Sequence, residues 1–197
     1  MLSWKEWILK MSDLVKKTFY ITNLFSDIKT TSWSSNELKT VIFLLKQVSD
    51  HKIYLPDLGD VNDLNIDVFH TEIAKIPLDY VVKKDIFSDI TNVKKNHIAR
   101  EINKVRKDLG KRTINTPHPL ERDNDSGETI PWFSKITYSN KYGEIKFIFN
   151  SFAIERLVAF VKYTKISFDQ LVKLDSAYSV YMYIFFKIIK DSGSVAN

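Results

Sequence analysis

Residues 93–115, NVKKNHIAREINKVRKDLGKRTI, concentrate the chemistry of this 197-residue chain. Residues 94–112 hold five Lys and three Arg against one Glu and one Asp, a local charge of +6, while the whole chain carries +5. The rest is close to neutral, so the cations are gathered where they can meet a polyanion. On a wheel advancing about 100° per residue, Ile102, Val105 and Leu109 fall within about 40° of Ile98 and form a narrow apolar stripe. Arg100, Lys104, Lys107 and Lys111 cluster on the opposite side, clear of Glu101 and Asp108. Lys94 and Lys95 stand at the start, where free helix amides also favour phosphate. Arg112 leads out into a strand-like segment. Asn103, near the cationic stripe, carries an amide of the kind that reads base edges. An ordinary solvated face has the same wheel. A phosphate backbone is the partner that gives the grouping a use.

Other residue types exclude reaction classes. There is no cysteine, hence no disulfide, thiolate nucleophile or Cys-based metal site. His51, His70, His97 and His118 show neither an HExxH motif nor any close pairing, so no metal is expected. Asp57, Asp60 and Asp63 surround Gly59 but lack the ligand order of a calcium loop. The five glycines are isolated, so no Gly-rich loop cradles a phosphate. Tyr178, Tyr181 and Tyr183 would suit a DNA-nicking tyrosine, but the paired histidines that hold its metal are missing. They read as core or interface. The expectation is a non-catalytic protein without cofactor.

The elements that position these residues follow from periodicity and punctuation. Ser34 with Glu37 fits a capping box, and Leu38, Val41, Ile42, Leu45 and Val48 continue a helical stripe. Residues 79–82 read as a strand, 83–90 as a short helix, and Thr91-Asn92 as a turn. The basic helix then runs over 94–109 and stops at Gly110 in a left-handed cap. KRTIN is strand-like, and residues 116–130 form a loop with two prolines, one glycine and five charges. PWFSKITY and EIKFIFN alternate around the turn SNKYG. Helices follow at about 151–161 and from Asp175 to Lys190. The order predicts an α+β winged helix, with the 116–130 loop as its wing. Residues 1–33 form an N-terminal amphipathic segment laid on the body, 34–190 the domain, and 191–197 a linker-like tail. Residues 50–79 form an acidic excursion with a local charge of −5. No secretory signal is visible, and the run from Tyr178 to Ile189 is too short to span a bilayer. A cytoplasmic protein without membrane contact is expected.

The last helix, LDSAYSVYMYIFFKIIKD, is apolar nearly all round and should be covered on every side. A terminal helix of this kind calls for a partner, so Tyr178, Tyr181, Met182, Phe185, Phe186 and Ile189 are read as interface. Ser176 through Lys187 resembles the S-x-Y-S-I-R-L-Y-E-L-L-K signature of iteron-plasmid replication initiators. SSNELKTVIFLLKQV is similar to an early helix of that family. VKKDIFSDITNVKKNHIAREINKVRKDLGKRTI is similar to its helix-turn-helix and first wing strand, and IPWFSKITYSNKYGEIKFIFN to its wing hairpin. Together these stretches span about residues 14–190. The resemblance implies the N-terminal winged-helix domain of a plasmid replication initiator. That domain would bind double-stranded DNA at origin repeats (iterons) mainly through phosphates, form a homodimer and meet host replication proteins. Tyr181 and Ile184 stand where the family has Arg and Glu, which puts the contacts of those charges in doubt. The family's second winged helix would follow the signature helix, and it is expected to be absent here. Two other readings remain: a winged-helix transcription regulator, and a protein-interaction module without direct DNA contact.

Overall fold

The computed structural model describes residues 18–22, 32–51, 53–54, 66–116, 128–160 and 163–193. The amphipathic stretch at 1–17 lies outside them. So do residues 55–65 of the acidic excursion and residues 117–127 of the long loop.

Helix α1, Ser35–Val48, is the axis of the core. Its start is a closed capping box: the Ser34 hydroxyl accepts from the Glu37 amide at 3.3 Å, and Glu37 accepts from the Ser34 amide at 2.7 Å. Two of the four free amides at the helix start are thereby satisfied. Almost every side chain of α1 is buried, including Lys39. The Lys39 ammonium donates to the Val172 carbonyl at 2.9 Å. Burial pushes its pKa below the ordinary lysine value, against the opposing pull of Asp175. Lys46 lies over the ring of Phe168 at 5.2 Å.

Around this axis the chain builds a helix-turn-helix and a sheet. Strand β3, Asp79–Lys83, leads into α3, Lys84–Thr91, and then α4, Ile98–Leu109. These follow β1 (Thr18–Thr22), β2 (Ile53–Tyr54) and α2 (Ile66–Ala74). Asn92 ends α3 in the left-handed conformation, φ 60°, and turns the chain toward α4. Asn tolerates this because its short polar side chain lowers the steric cost. Next come β4 (Thr113–Thr116) and β5 (Glu128–Pro131), paired antiparallel as a separate ribbon. β6 (Phe133–Ser139) and β7 (Glu144–Phe149) form a hairpin that joins β3 in the order β3-β7-β6. Ile145, Phe147 and Phe149 of β7 point into the core, as do Tyr80 and Val82 of β3. The hairpin tip is pinned: Gly143 holds φ +62°, and its carbonyl accepts from the Lys84 amide at 2.8 Å.

The chain closes with α5 (Ser151–Val158), β8 (Ala159–Phe160), β9 (Tyr163–Ser167), α6 (Phe168–Val172) and α7 (Ala177–Gly193). β1 pairs antiparallel with β9, and β2 pairs parallel with β8. Trp132, fully buried, links the two hairpins: its amide donates to the Arg112 carbonyl at 3.1 Å, and its carbonyl accepts from Asn150 at 3.0 Å. Its ring meets Trp33 edge-on at 5.5 Å.

The architecture is the expected α+β winged helix, with corrections in detail. The wing that completes the sheet with β3 is the β6–β7 hairpin, tipped by residues 140–143, and not the 116–130 loop. The basic helix starts at Ile98, four residues later than its composition suggested, because residues 94–97 form a tight turn closed by His97 donating to Lys94. Gly110 is right-handed, φ −64°: the chain leaves α4 through further helical turns, Lys111 to Asp108 and Arg112 to Leu109, with no reversal to accommodate.

Candidate nucleic-acid interface

α4 is anchored from below. Ile98, Ile102, Val105 and Leu109 are all buried, each contributing roughly 2 kcal/mol. The Asn36 amide of α1 donates to Glu101 at 2.8 Å and fixes the rotation of α4 against the core. The opposite side is therefore held outward. Arg100, Lys104, Lys107 and Lys111 are exposed. Among the described residues none of these four forms an ion pair. Lys94 and Lys95 are exposed in the turn before α4. Asn103 is exposed but engaged with its own helix: its amide donates to the Ala99 carbonyl at 3.0 Å and its oxygen accepts from Arg106 at 3.3 Å.

Arg112 differs from the other cations. Its Nε donates to Glu37 at 2.8 Å, Nη1 to the Ser32 hydroxyl at 3.0 Å and Nη2 to the Ser32 carbonyl at 2.9 Å. The guanidinium also lies 5.3 Å from the Trp33 ring centroid. Every donor edge is turned toward the start of α1, so the residue ties the helix exit to the core.

Two cationic residues escaped the sequence reading. A cleft of about 310 Å³ runs between the end of α4 and β6, and its walls include Arg106, Lys107, Lys111 and Lys135. Arg106 sits beside the apolar stripe on the wheel, and Lys135 belongs to a strand 24 residues beyond Lys111, so no local period connects them. The outward alternation of Lys135 in β6 was the available signal. The cleft extends the cationic row from the helix onto the wing strand.

α7 shows two faces. Val180, Ile184 and Ile188 are buried, whereas Tyr178, Phe186 and Ile189 are 72%, 59% and 51% exposed. Tyr181, Met182 and Phe185 are half-buried, with Tyr181 and Phe185 stacked at 6.1 Å. The helix is thus covered on one face and open on the other. Tyr183 is structural: its hydroxyl accepts from the Ser167 amide at 3.3 Å and donates to Gln170 at 2.9 Å. Among the described residues no helix is long and apolar enough to cross a membrane, and no group of three His, Asp or Glu could hold a metal ion.

A solved structure of the Pi initiator protein in complex with iteron DNA shares this fold, with a TM-score of 0.61 at 14% identity. The match covers 88% of this chain and 64% of that one, so the chain spans less than two thirds of that protein's length. The WH1 domain of MSBI1.176, a replication protein isolated from a multiple sclerosis patient, matches at 17% identity with a TM-score of 0.32, over 62% of this chain and 92% of that one. No curated protein sequence matches significantly. The family model described as initiator replication protein, WH1, matches residues 18–187. The helix-turn-helix, the wing and the signature stretch from Ser176 to Lys187 all lie within that span, and the chain belongs to the initiator replication protein WH1 family.

Proposed function

We propose that this chain is the DNA-binding and dimerisation domain of a plasmid replication initiator, without catalytic activity, that holds double-stranded origin repeats mainly through phosphates. The observation that carries this reading is the exposed row of Arg100, Lys104 and Lys107 on the outward face of α4 and Lys111 just beyond it, without ion pairs among the described residues. Cations without ion pairs among the described residues, over about three helical turns, lower the free energy of a bound polyanion without first breaking protein contacts. The helix that carries them is the second of the helix-turn-helix, which in such folds enters the major groove. Lys94, Lys95 and Lys135 extend the contact set, and Arg112 is set apart from it as a structural arginine. Asn103 reaches a base only by giving up its bond to Ala99. The contacts therefore position the duplex more than they read it.

The open face of α7 supports self-association through Tyr178, Phe186 and Ile189. A gel-shift titration on origin repeats tests the DNA reading. With about four phosphates neutralised, affinity is expected to fall roughly a hundredfold between about 50 and 200 mM salt. Replacing Arg100, Lys104 and Lys107 together by Glu should abolish the shift. A flat salt response, or a shift unaffected by the triple replacement, would reject this surface.

A further inference from the structure

α4 carries an acid at the edge of its cationic row. Glu101 stands one helical turn before Lys104, the order in which an acid and a lysine pair best on a helix. Its carboxylate is turned instead to α1, where Oε1 accepts from the Asn36 amide at 2.8 Å. Lys104 is exposed and forms no ion pair among the described residues. We propose, on the reading of the α4 row as a phosphate-binding surface, that Asn36 is a positioning residue of that surface: by holding Glu101 against α1 it keeps the Lys104 ammonium available to a phosphate.

The base from which Asn36 projects is rigid. It is the second residue of α1 and lies inside the closed capping box of Ser34 and Glu37. Glu37, the next residue, takes Arg112 at 2.8 Å just beyond the end of α4. Consecutive residues of α1 thus hold α4 near both ends, through Glu101 and through Arg112. One contact leaves a helix free to turn about its axis; two contacts on different turns do not. Of the two grips, the one from Asn36 decides where the charge of Glu101 lies. On its own helix the released carboxylate would face Lys104, three residues on, whereas the adjacent Arg100 points elsewhere. A carboxylate swung there occupies the Lys104 ammonium and also presents a negative charge to an arriving phosphate, and both effects weaken binding of a polyanion. Asp108, the other acid of α4, follows Lys104 by four residues, the less favourable order for a pair. An amide suits the position because it donates without carrying charge: it holds the carboxylate and needs no counter-ion of its own. The role is electrostatic and is exerted through Glu101, and Asn36 itself touches no DNA.

Fluorescence anisotropy of the full chain with a labelled mixed-sequence duplex, titrated across about 50–200 mM salt, reads both the affinity and the number of phosphates engaged. Asn36→Ala is expected to weaken binding about threefold, somewhat more than one helix-surface ion pair, because the freed carboxylate also repels the phosphate. The slope of log affinity against log salt should fall by as much as about 0.9, the share of one phosphate. Asn36→Asp, which expels Glu101 by like charge, should weaken binding about fivefold. Its added charge lies in the first turn of α1, where the helix dipole favours it. Combining Asn36→Asp with Glu101→Gln rebuilds the bond with donor and acceptor exchanged, at the net charge of the wild type. Affinity should then return to within about twofold of the wild type. Urea midpoints check that each variant is folded; should Asn36→Asp alone not fold, Asn36→Ala and the double variant carry the comparison. Wild-type binding by Asn36→Asp would overturn the positioning role and leave the α4 reading standing. So would a double variant as weak as Asn36→Asp, because the effect would then not pass through Glu101. Absence of salt-dependent duplex binding in the wild type would overturn the α4 reading itself, and this role with it.

Discussion

Lys111 and Arg112 are neighbours with opposite commitments: one is exposed and without an ion pair among the described residues, the other bonded three ways to Glu37 and Ser32. Glu37 is 75 positions away in sequence, so nothing local in GKRTI distinguishes the two cations. The Glu37 side chain is only 3% exposed and that of Arg112 24%, so removing the guanidinium strands a nearly buried carboxylate. Breaking a fully buried pair costs roughly 3–5 kcal/mol; with Arg112 partly in water, Arg112→Ala should cost about 2 kcal/mol in urea denaturation. Lys107→Ala should change stability by less than about 0.5 kcal/mol, as for any free surface residue. A reversed order of the two effects would contradict the assigned roles. Tyr80 offers a pH test. Burial, then the charges of Asp50 and Asp79, push its pKa up to about 12 from an ordinary 10. A pKa raised in the folded state means the contribution is fully present below pH 10 and lost as pH rises from 10 toward 12. Tyr80→Phe removes the titration, and also a hydroxyl without a hydrogen-bond partner among the described residues. Its thermal midpoint should therefore match or exceed the wild type at pH 8 and decline less between pH 10 and 12. Identical alkaline profiles for the two proteins would exclude Tyr80 as the group responsible.

Elements were legible where their signal is local. The four buried residues of α4 recur at helical spacing, so the wheel located both its core side and its cationic side. The capping box from Ser34 to Glu37 is a local S-x-x-E pattern and is present atom for atom. Pairing between elements was not legible. Four short strands lie between residues 113 and 149, and alternation says which way side chains point, not which strand is the neighbour. Element order alone therefore puts the wing one hairpin too early, at 116–130, whereas the resemblance of IPWFSKITYSNKYGEIKFIFN to the family's wing hairpin points to β6–β7, the pair that joins β3. Gly110 misled for a related reason: glycine permits a left-handed cap but does not require one, and at the turn between α3 and α4 it is Asn92 that takes positive φ. The turn between α3 and α4 sets where the cationic row points, so Asn92 is the place to test it. Asn92→Gly keeps the turn at no steric cost and should leave the urea midpoint unchanged or slightly higher. Asn92→Val forces a β-branched residue into the left-handed region and should destabilise by about 1–2 kcal/mol. Equal midpoints for the two variants would mean that this turn is not under conformational constraint.

At the scale of the molecule, two surfaces are left without a partner among the described residues, one cationic and one apolar. They lie on different elements, α4 and α7, and the chemistry that satisfies one cannot satisfy the other. α7 was expected to be covered all round because its composition is apolar on every side. Composition cannot say which face the domain itself covers; packing against α1 and β9 takes Val180, Ile184 and Ile188 and leaves the rest. Phe186 and Ile189, both more than half exposed, are the residues whose desolvation a second copy would exploit, each worth roughly 1.5–3 kcal/mol when fully buried. Phe186→Glu with Ile189→Glu places two like charges in the middle of that face. Because both side chains already meet solvent, the folded monomer should keep its stability to within about 1 kcal/mol. In sedimentation equilibrium the wild type is expected to show a concentration-dependent dimer and the double variant a monomer, while α4, untouched, should keep its contact with a single repeat. A wild type that remains monomeric at every concentration would remove dimerisation from the proposed function. A variant that still dimerises would move the contact away from α7 and toward the exposed outer face of the β3-β7-β6 sheet, where Val81 is 43% exposed.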